Sequence, residues 1–436
     1  MSQAIASAAF SPAAFEAHLA SQNEPAWLRE RRQASHAAFE EMPMPGMGDE
    51  EWMRTDIRLF HLDRYCPPAE APSESIAEPL LSRGVELGGD MVRADGHLLT
   101  SSLAEKWASQ GVLYGSLRVL VAEHGDLLRP FFERQVVDAR YDRFAALSDA
   151  WWSGGTLLYV PRGVVIDEPL HMISAMSDGG ADLGRTLVVL EDGAEATLLA
   201  ETASPNEEAG GMHCGTVELI VGDNAFLRYV NLQNWGSKAW HFSHQKAVIG
   251  RDARIQWTIG ALGSRVAKVN QHVALAGEGA DAQVNGVMFT EGKQHLSYHT
   301  LQHHQAPHCH SNLLYNGGLQ DKSRIVWRGM IKVDTEAQLT DGFQRNDSLM
   351  LDPDARSDSI PGLEIKADDV RCTHGSTAGR VDEEMIFYAR CRGYTRQEAI
   401  RTIVAGFFQQ VYDRITIPSV REALGQAVGQ RIREYE

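Results

Sequence analysis

The chain has 436 residues, of which 43% are hydrophobic and 23% are charged, an ordinary composition for a globular protein. Its formal net charge of −17 argues against a nucleic-acid or anionic-membrane binder, because such proteins present basic surfaces. No apolar run approaches the roughly 18 residues that a membrane-spanning helix needs. Residues 1–10 contain no Lys or Arg and so lack the basic residues of a targeting peptide, and we therefore expect a cytoplasmic protein.

The first region, residues 1–104, is predicted to be an N-terminal helical region. Ser11-Pro12 has the pattern of an N-cap followed by proline at the first helical position. Glu24-Pro25 opens a second helical pattern, which ends before the breaker Pro43-Met44-Pro45-Gly46. These signals place at least two helices ahead of the main domain.

The middle region, residues 105–381, is predicted to be a parallel β-helix core. An apolar run, a turn containing Gly, Asp or Glu and then an alanine recur along it, and long helical patterns are missing. A steady period of about 20 to 50 residues is typical of a solenoid, and strands within the period indicate a β-helix. An antiparallel sandwich or jelly roll is the alternative. The alanines are Ala194, Ala225, Ala253, Ala280 and Ala337, which are 31, 28, 27 and 57 residues apart, the last spacing being close to two periods.

The last region, residues 382–436, returns to a helical pattern. Thr395 to Glu398 and Ser419 to Glu422 both have the form of a capping box. An apolar stripe at i, i+3 and i+4 spacing lies between them, and it suits either the chain's own solenoid end or a partner protein. The stripe consists of Ile400, Ile403, Val404, Phe407, Phe408, Val411, Tyr412 and Ile415.

A thiol and an imidazole stand two residues apart in Cys372-Thr373-His374-Gly375, at the end of a strand-like run. Residues i and i+2 of a strand face the same side, so Cys372 and His374 are predicted to share one surface. A thiolate beside an imidazole can bind zinc, copper(I) or iron–sulfur species. The alternative is a cysteine that packs as a small hydrophobic residue beside a histidine bonded to backbone.

A second cluster places seven possible metal ligands within 16 residues. It could form a zinc or iron site on a β-scaffold. Alternatively, the imidazoles stack along successive coils and bond to each other and to backbone. The cluster consists of His295, His299, His303, His304, His308, Cys309 and His310.

The remaining motifs limit the chemistry. The five cysteines are odd in number and dispersed, with no CxxC pair, so we expect no disulfide framework, zinc ribbon, ferredoxin-type cluster or thioredoxin motif. No GxxxxGK[ST] or GxSxG motif is present, which argues against an ATPase or an α/β hydrolase. A metal handled by this chain would therefore need ligands from another molecule.

Taken together, several stretches spread along nearly the whole chain resemble the SufD family, subunits of the SUF iron–sulfur cluster assembly complex. The most specific is Ala367-Asp368-Asp369-Val370-Arg371-Cys372-Thr373-His374-Gly375, in which Arg371 and Thr373 replace the more usual Lys and Ser. The other stretches are Glu24-Pro25-Ala26-Trp27-Leu28, Asp49-Glu50-Glu51-Trp52, Tyr159-Val160-Pro161-Arg162-Gly163, His299-Thr300-Leu301, Ala306-Pro307-His308-Cys309, Leu363-Glu364-Ile365 and Asp382-Glu383-Glu384.

Two positions separate the chain from the related SufB family. SufB-like sequences carry a cysteine in a CDSLL-type stretch, whereas this chain has Asn346 at that place in Gln344-Arg345-Asn346-Asp347-Ser348-Leu349. SufB-like sequences also read EHEAT where this chain reads Cys372-Thr373-His374-Gly375-Ser376. Both differences favour the SufD type.

The resemblance implies a right-handed parallel β-helix flanked by N-terminal and C-terminal helical regions. It implies a non-enzymatic scaffold that pairs with SufB, binds the ATPase SufC through residues 382–436, and can homodimerise when isolated. His374 and Cys372 would then contribute to a transient iron or iron–sulfur site shared with SufB, with no cofactor held tightly by the isolated chain.

Three other functions remain as alternatives. A β-helix carbohydrate lyase or hydrolase would need an Asp, Arg and Lys cluster on one outer sheet, and the sequence contains no such cluster. A free-standing metalloenzyme would use the cluster from His295 to His310. A purely structural subunit would leave His374 without a chemical role.

Overall fold

The computed structural model describes residues 9–66 and 78–432, which form mainly strands. Most of residues 1–10, from which we expect no targeting signal, lies outside this described part. None of the helices in the described ranges is long and apolar enough to cross a bilayer. The helices are α1 (Pro12–Ser21), α2 (Ala26–Glu41), α3 (Glu105–Ala108), α4 (Leu117–Glu123), α5 (Gly125–Glu133), α6 (Arg143–Trp151), α7 (Glu383–Arg390), α8 (Arg396–Tyr412) and α9 (Pro418–Arg431), with a short 3₁₀ turn at Leu62–Arg64.

In the described residues, twenty strands form two sheets. Sheet A has the order β2-β1-β5-β8-β10-β12-β14-β16-β18-β20, and sheet B has the order β19-β17-β15-β13-β11-β9-β7-β4-β3, with β6 beside β9. The strands are β1 (Gly89–Ala94), β2 (His97–Leu103), β3 (Leu113–Ser116), β4 (Gly154–Val160), β5 (Leu170–Ala175), β6 (Gly180–Asp182), β7 (Gly184–Leu190), β8 (Glu195–Ala203), β9 (Gly210–Val221), β10 (Phe226–Gln233), β11 (Lys238–Ile249), β12 (Arg254–Ala261), β13 (Val266–Leu275), β14 (Asp281–Thr290), β15 (His295–His304), β16 (His310–Leu319), β17 (Arg324–Val333), β18 (Thr340–Met350), β19 (Arg356–Ile365) and β20 (Val370–Arg380).

The predicted β-solenoid is confirmed. From β7 to β20 successive strands alternate between the two sheets, and each pairs in parallel with the strand one coil away, for about eight turns. The antiparallel pairs among the twenty strands are β1 with β2 and β3 with β4, at the start of the solenoid. This parallel pairing excludes the alternative of an antiparallel sandwich.

The recurring alanines mark the corners at which strands of sheet A begin. All five are at most 1% exposed, because a larger side chain would not fit where each coil turns above the last. Cys309 occupies the equivalent corner before β16, between Ala280 and Ala337, and is also 1% exposed. The spacing of 57 residues is therefore two coils, with cysteine in place of alanine at the middle corner.

Helices cover the outer faces of both sheets. The N-terminal helices and Trp52 pack on β9 and β11 of sheet B through an aromatic cluster that includes Phe144 and Phe242. The stripe on α8 packs on the outer face of sheet A, in one apolar cluster that includes Phe408, Phe289 and Leu314. The stripe therefore covers the solenoid's side, not its end. Its buried members are Ile400, Val404, Phe408, Val411, Tyr412 and Ile415.

Some of the helix caps predicted from the sequence are present in the structure and one is not. Ser11 Oγ accepts a hydrogen bond from the Ala14 amide, and Thr395 and Glu398 form the predicted capping box. The second predicted capping box is wrong, because α9 begins at Pro418 and Ile417 is its N-cap, with no side-chain hydrogen bond. Strands β1 and β2 also precede residue 105, and α3 to α6 lie between residues 105 and 151, so helix and sheet interleave there.

The two ends of the solenoid differ. At the first end, Trp107 and Tyr114 from the segment around α3 and β3 join the core and close it. At the second end, β19 and β20 each have no strand beyond them in their sheet, among the residues described. Most of their side chains are exposed or half-buried. The second end therefore leaves a coil's interior and two strand edges open.

Candidate functional site

Cys372 and His374 lie together on β20, at the open end of the solenoid. Cys372 pairs with Gly342 and His374 pairs with Gln344, whose side chain is fully buried inside the preceding coil. Since paired residues of parallel strands face the same side of the sheet, both residues are on the side of β20 that faces the solenoid interior. His374 is nevertheless exposed and Cys372 half-buried, because no further coil covers them.

The surroundings of the thiol are apolar. Cys372 packs against a small cluster that includes Ile331, Val333 and Ala367. Burial raises the pKa of the Cys372 thiol above its usual value. On the facing strand β19, Leu363 and Ile365 are 38% and 41% exposed, although their partners Ile331 and Val333 are fully buried. The open end therefore combines a thiol, an imidazole and uncovered apolar side chains.

The histidine cluster does not converge. Among residues 9–66 and 78–432, no group of three or more His, Cys, Asp or Glu side chains is placed to hold a metal ion. The members have separate surroundings: His299 Nδ1 lies 2.9 Å from Glu51, His303 Nε2 lies 2.9 Å from Asp334, His310 Nδ1 lies 3.1 Å from Asp281, and His304 Nε2 lies 2.8 Å from Ser311. Of the others, His308 sits in a turn with φ of +59°, His295 is largely buried and Cys309 is a core corner.

Part of the alternative interpretation of these histidines holds. The rings of His272 and His303, on neighbouring coils, stack with centroids 5.8 Å apart. Closely spaced histidines in the sequence did not indicate a metal site here, because alternate residues of a strand point to opposite faces of the sheet. His304 points inward, whereas His303 points outward.

An exposed apolar patch on α7 was not recognised in the sequence. Met385, Phe387 and Tyr388 are 57%, 68% and 61% exposed, and Tyr394 just beyond the helix is 47% exposed. Ile386 is the fully buried residue of this helix and Ala389 packs beside it, so α7 presents its aromatic rings to solvent. The sequence feature that could have indicated this patch is the pair Phe387-Tyr388, which follows the acidic first turn of a short helix. Adjacent exposed aromatic residues are typical of a protein-binding surface.

A charged cluster fastens the N-terminal segment to the outer face of sheet B. The Glu51 carboxylate lies 2.9 Å from His299 Nδ1, 3.4 Å from Arg328 Nη1 and 3.9 Å from Lys268 Nζ. The hydrogen bond from His299, with the charges of Lys268 and Arg328, lowers the pKa of Glu51 to about 2. Burial lowers the pKa of Lys268 to about 7. The cluster therefore stabilises the fold through a charged Glu51.

We expect Glu51→Gln to lower the free energy of unfolding at pH 7 by about 1 kcal/mol, a modest value because the side chain is 41% exposed and screened by solvent. The folded pKa lies below the usual 4.5, so the stabilisation is complete above pH 4.5 and is lost as the pH falls towards 2. Urea unfolding between pH 7 and pH 3 should show the two proteins converging. Glu50→Gln, at a position 77% exposed, should change stability less. A difference in unfolding free energy between wild type and Glu51→Gln that stays constant on acidification would contradict a stabilising role for the charged Glu51 carboxylate.

The family models and the similar proteins that match this chain all name one family. A model of the SUF system FeS cluster assembly SufBD core domain matches residues 172–407, and a model of the SufBD protein N-terminal region matches residues 89–172. Iron–sulfur cluster assembly SufBD family proteins of Staphylococcus aureus strains MRSA252 and USA300 are 26% identical over 401 residues, covering 89% of this chain and 85% of theirs. One from Staphylococcus saprophyticus is 26% identical over 400 residues, covering 88% and 85%.

Proposed function

Because the chain belongs to the SufBD family of iron–sulfur cluster assembly proteins, we propose that it is the SufD-type subunit of a SUF complex. In this role it is a cytoplasmic, non-enzymatic scaffold. It pairs with a SufB-type subunit, forms the nascent-cluster site with it, supports iron acquisition and is driven by a SufC-type ATPase. The iron or iron–sulfur cluster is cargo and not a resident cofactor.

The observation that carries the proposal is the pair Cys372 and His374 on the uncovered last coil. A second solenoid stacked on this end would cover Leu363 and Ile365 and could pair with the free edges of β19 and β20. It would also meet the thiol and the imidazole. Two ligands from this chain leave the remaining positions of a tetrahedral iron site to the partner, which suits a site that must release its cargo.

The choice of SufD over SufB rests on Asn346 and on the CTHG stretch. Asn346 is fully buried inside the solenoid, and its Nδ2 donates to the carbonyl of Tyr315 at 3.4 Å. An amide at this place supplies no thiolate for cluster assembly. The cysteine at the open end, Cys372, comes instead with a histidine two residues later.

The ATPase is proposed to dock on the C-terminal region, residues 382–436, through the aromatic patch on α7. The apolar stripes on α8 and α9 are buried against sheet A. Within residues 382–432, the large exposed apolar side chains lie around Phe387 and Tyr388. The chain has no phosphate-binding motif of its own. A nucleotide-driven change in this complex would therefore have to come from a partner.

The test is anaerobic co-expression with SufB-type and SufC-type partners, followed by purification on this chain. We expect both partners to co-elute, together with iron and sulfide. Co-elution without iron or sulfide would leave a purely structural subunit. No co-elution, with metal bound to the chain alone, would replace the proposal with a free-standing metalloprotein.

A further inference from the structure

A small gap lies directly beneath the thiol of Cys372. It exists because the paired residue on β18 is Gly342. A methyl group placed on Gly342 would stand 3.3 Å from Cys372 Sγ, 3.3 Å from Ile331 Cγ2 and 3.5 Å from His304 Nε2. Three side chains from three strands therefore border one space that is slightly too small for a methyl group, inside the last covered coil.

The imidazole beside this gap is held in one tautomer. His304 is fully buried, and burial lowers its pKa to about 3, so the ring is neutral. Thr340 Oγ1 donates to the Ala337 carbonyl at 2.9 Å and can only accept from His304 Nδ1, at 3.5 Å. Ser311 Oγ accepts from Gln302 at 2.6 Å, which leaves its hydrogen for His304 Nε2 at 2.8 Å. The ring edge facing the gap cannot readily turn away.

We propose that Gly342 and His304 are positioning residues that hold the Cys372 sulfur in an inward, shielded place. Because Gly342 has no Cβ, the sulfur can lie close to β18, where the side chain of Ile331 closes one wall and the fixed imidazole limits how deep the sulfur can lie. From this place the sulfur can turn outward about its Cα–Cβ bond to meet cargo iron beside His374. The last step rests on the proposed function, whereas the shielding does not.

The shielding is measured by alkylation of the isolated full-length chain with iodoacetamide, followed by peptide mass spectrometry. Cys391 is exposed and serves as the internal reference in each sample. In the wild-type chain Cys372 should react more slowly than Cys391. Gly342→Ala should fill the gap, push the sulfur outward and raise the Cys372 rate relative to Cys391 by roughly fivefold, since residues in contact are energetically coupled.

Two further variants keep the test decisive. Adding His304→Ser to Gly342→Ala removes the ring that the new methyl meets, so the Cys372 rate should return towards the wild-type value. Ile331→Val enlarges the gap with little risk to folding and should lower the rate. Unchanged rates in folded Gly342→Ala and Ile331→Val chains would overturn the proposal, as would wild-type Cys372 reacting as fast as Cys391.

This measurement needs no partner protein and so separates the two proposals. If the alkylation rates move as expected but the SufB-type and SufC-type partners do not co-elute with the chain, the positioning role stands and the proposed function fails. If the rates do not move but iron falls in His374→Ala, the positioning role fails and the proposed function stands.

Discussion

A chain carrying His374→Ala should co-purify with its SufB-type and SufC-type partners in wild-type amounts, but with iron and sulfide reduced by at least about tenfold. His374 is exposed on the last strand, so its removal leaves no cavity and no unpaired buried group. The loss should therefore be chemical, through one missing ligand. Iron and acid-labile sulfide are measured per mole of complex after anaerobic purification.

Ser376→Ala provides the matched control for this prediction. Ser376 follows His374 on the same side of the same strand and is likewise exposed, but a hydroxyl is a poor ligand for iron–sulfur species. We expect its complex to keep wild-type iron. Equal iron in wild type and His374→Ala would remove the assignment of His374, and equal losses in both variants would point to a disturbed interface instead of a lost ligand.

The fold was predictable because solenoid corners impose a local requirement that recurs in the sequence. Each corner needs a small buried residue, and five alanines satisfied that requirement at a nearly constant period. Cys309 satisfies it as well. The spacing of 57 residues indicated two periods, but the thiol of Cys309 suggested a metal ligand and not the residue at the corner between them. The short helices α4 to α6 were missed because their burial comes from packing on sheet B, and α3 was missed because it buries Trp107 in the solenoid core. None of them has a long periodic stripe.

The candidate site was only partly predictable. The i, i+2 spacing placed Cys372 and His374 on one side of a strand, and β20 has that geometry. That this strand is the uncovered one depends on where the last coil falls in the assembled solenoid, which no local pattern encodes. The histidine cluster was not predictable for the same reason. Its members are close together in the sequence of β15 and β16, but in the folded chain they lie on different faces and contact different acidic residues.

The second large effect is expected at the aromatic patch on α7. Phe387→Ala should weaken binding of the SufC-type ATPase by about thirtyfold or more, the loss typical of a central aromatic residue in an interface. Phe387 is 68% exposed in this chain, so its truncation should leave the thermal unfolding midpoint unchanged. Isothermal titration of the purified chain with the ATPase gives the dissociation constant directly.

The aromatic patch on α7 is exposed, whereas the apolar stripes of α8 and α9 are buried against sheet A. Ile386 is buried, and Arg396 pairs with Glu383 at 2.7 Å, so α7 is held against α8 and its rings are presented in a fixed direction. Val165→Ala, a change at a 51% exposed apolar residue on a distant loop, should leave the affinity unchanged. Full affinity in Phe387→Ala would move the docking surface away from α7. Since α8 and α9 bury their stripes on sheet A, the ATPase would then have to bind the polar faces of those helices or another part of the solenoid.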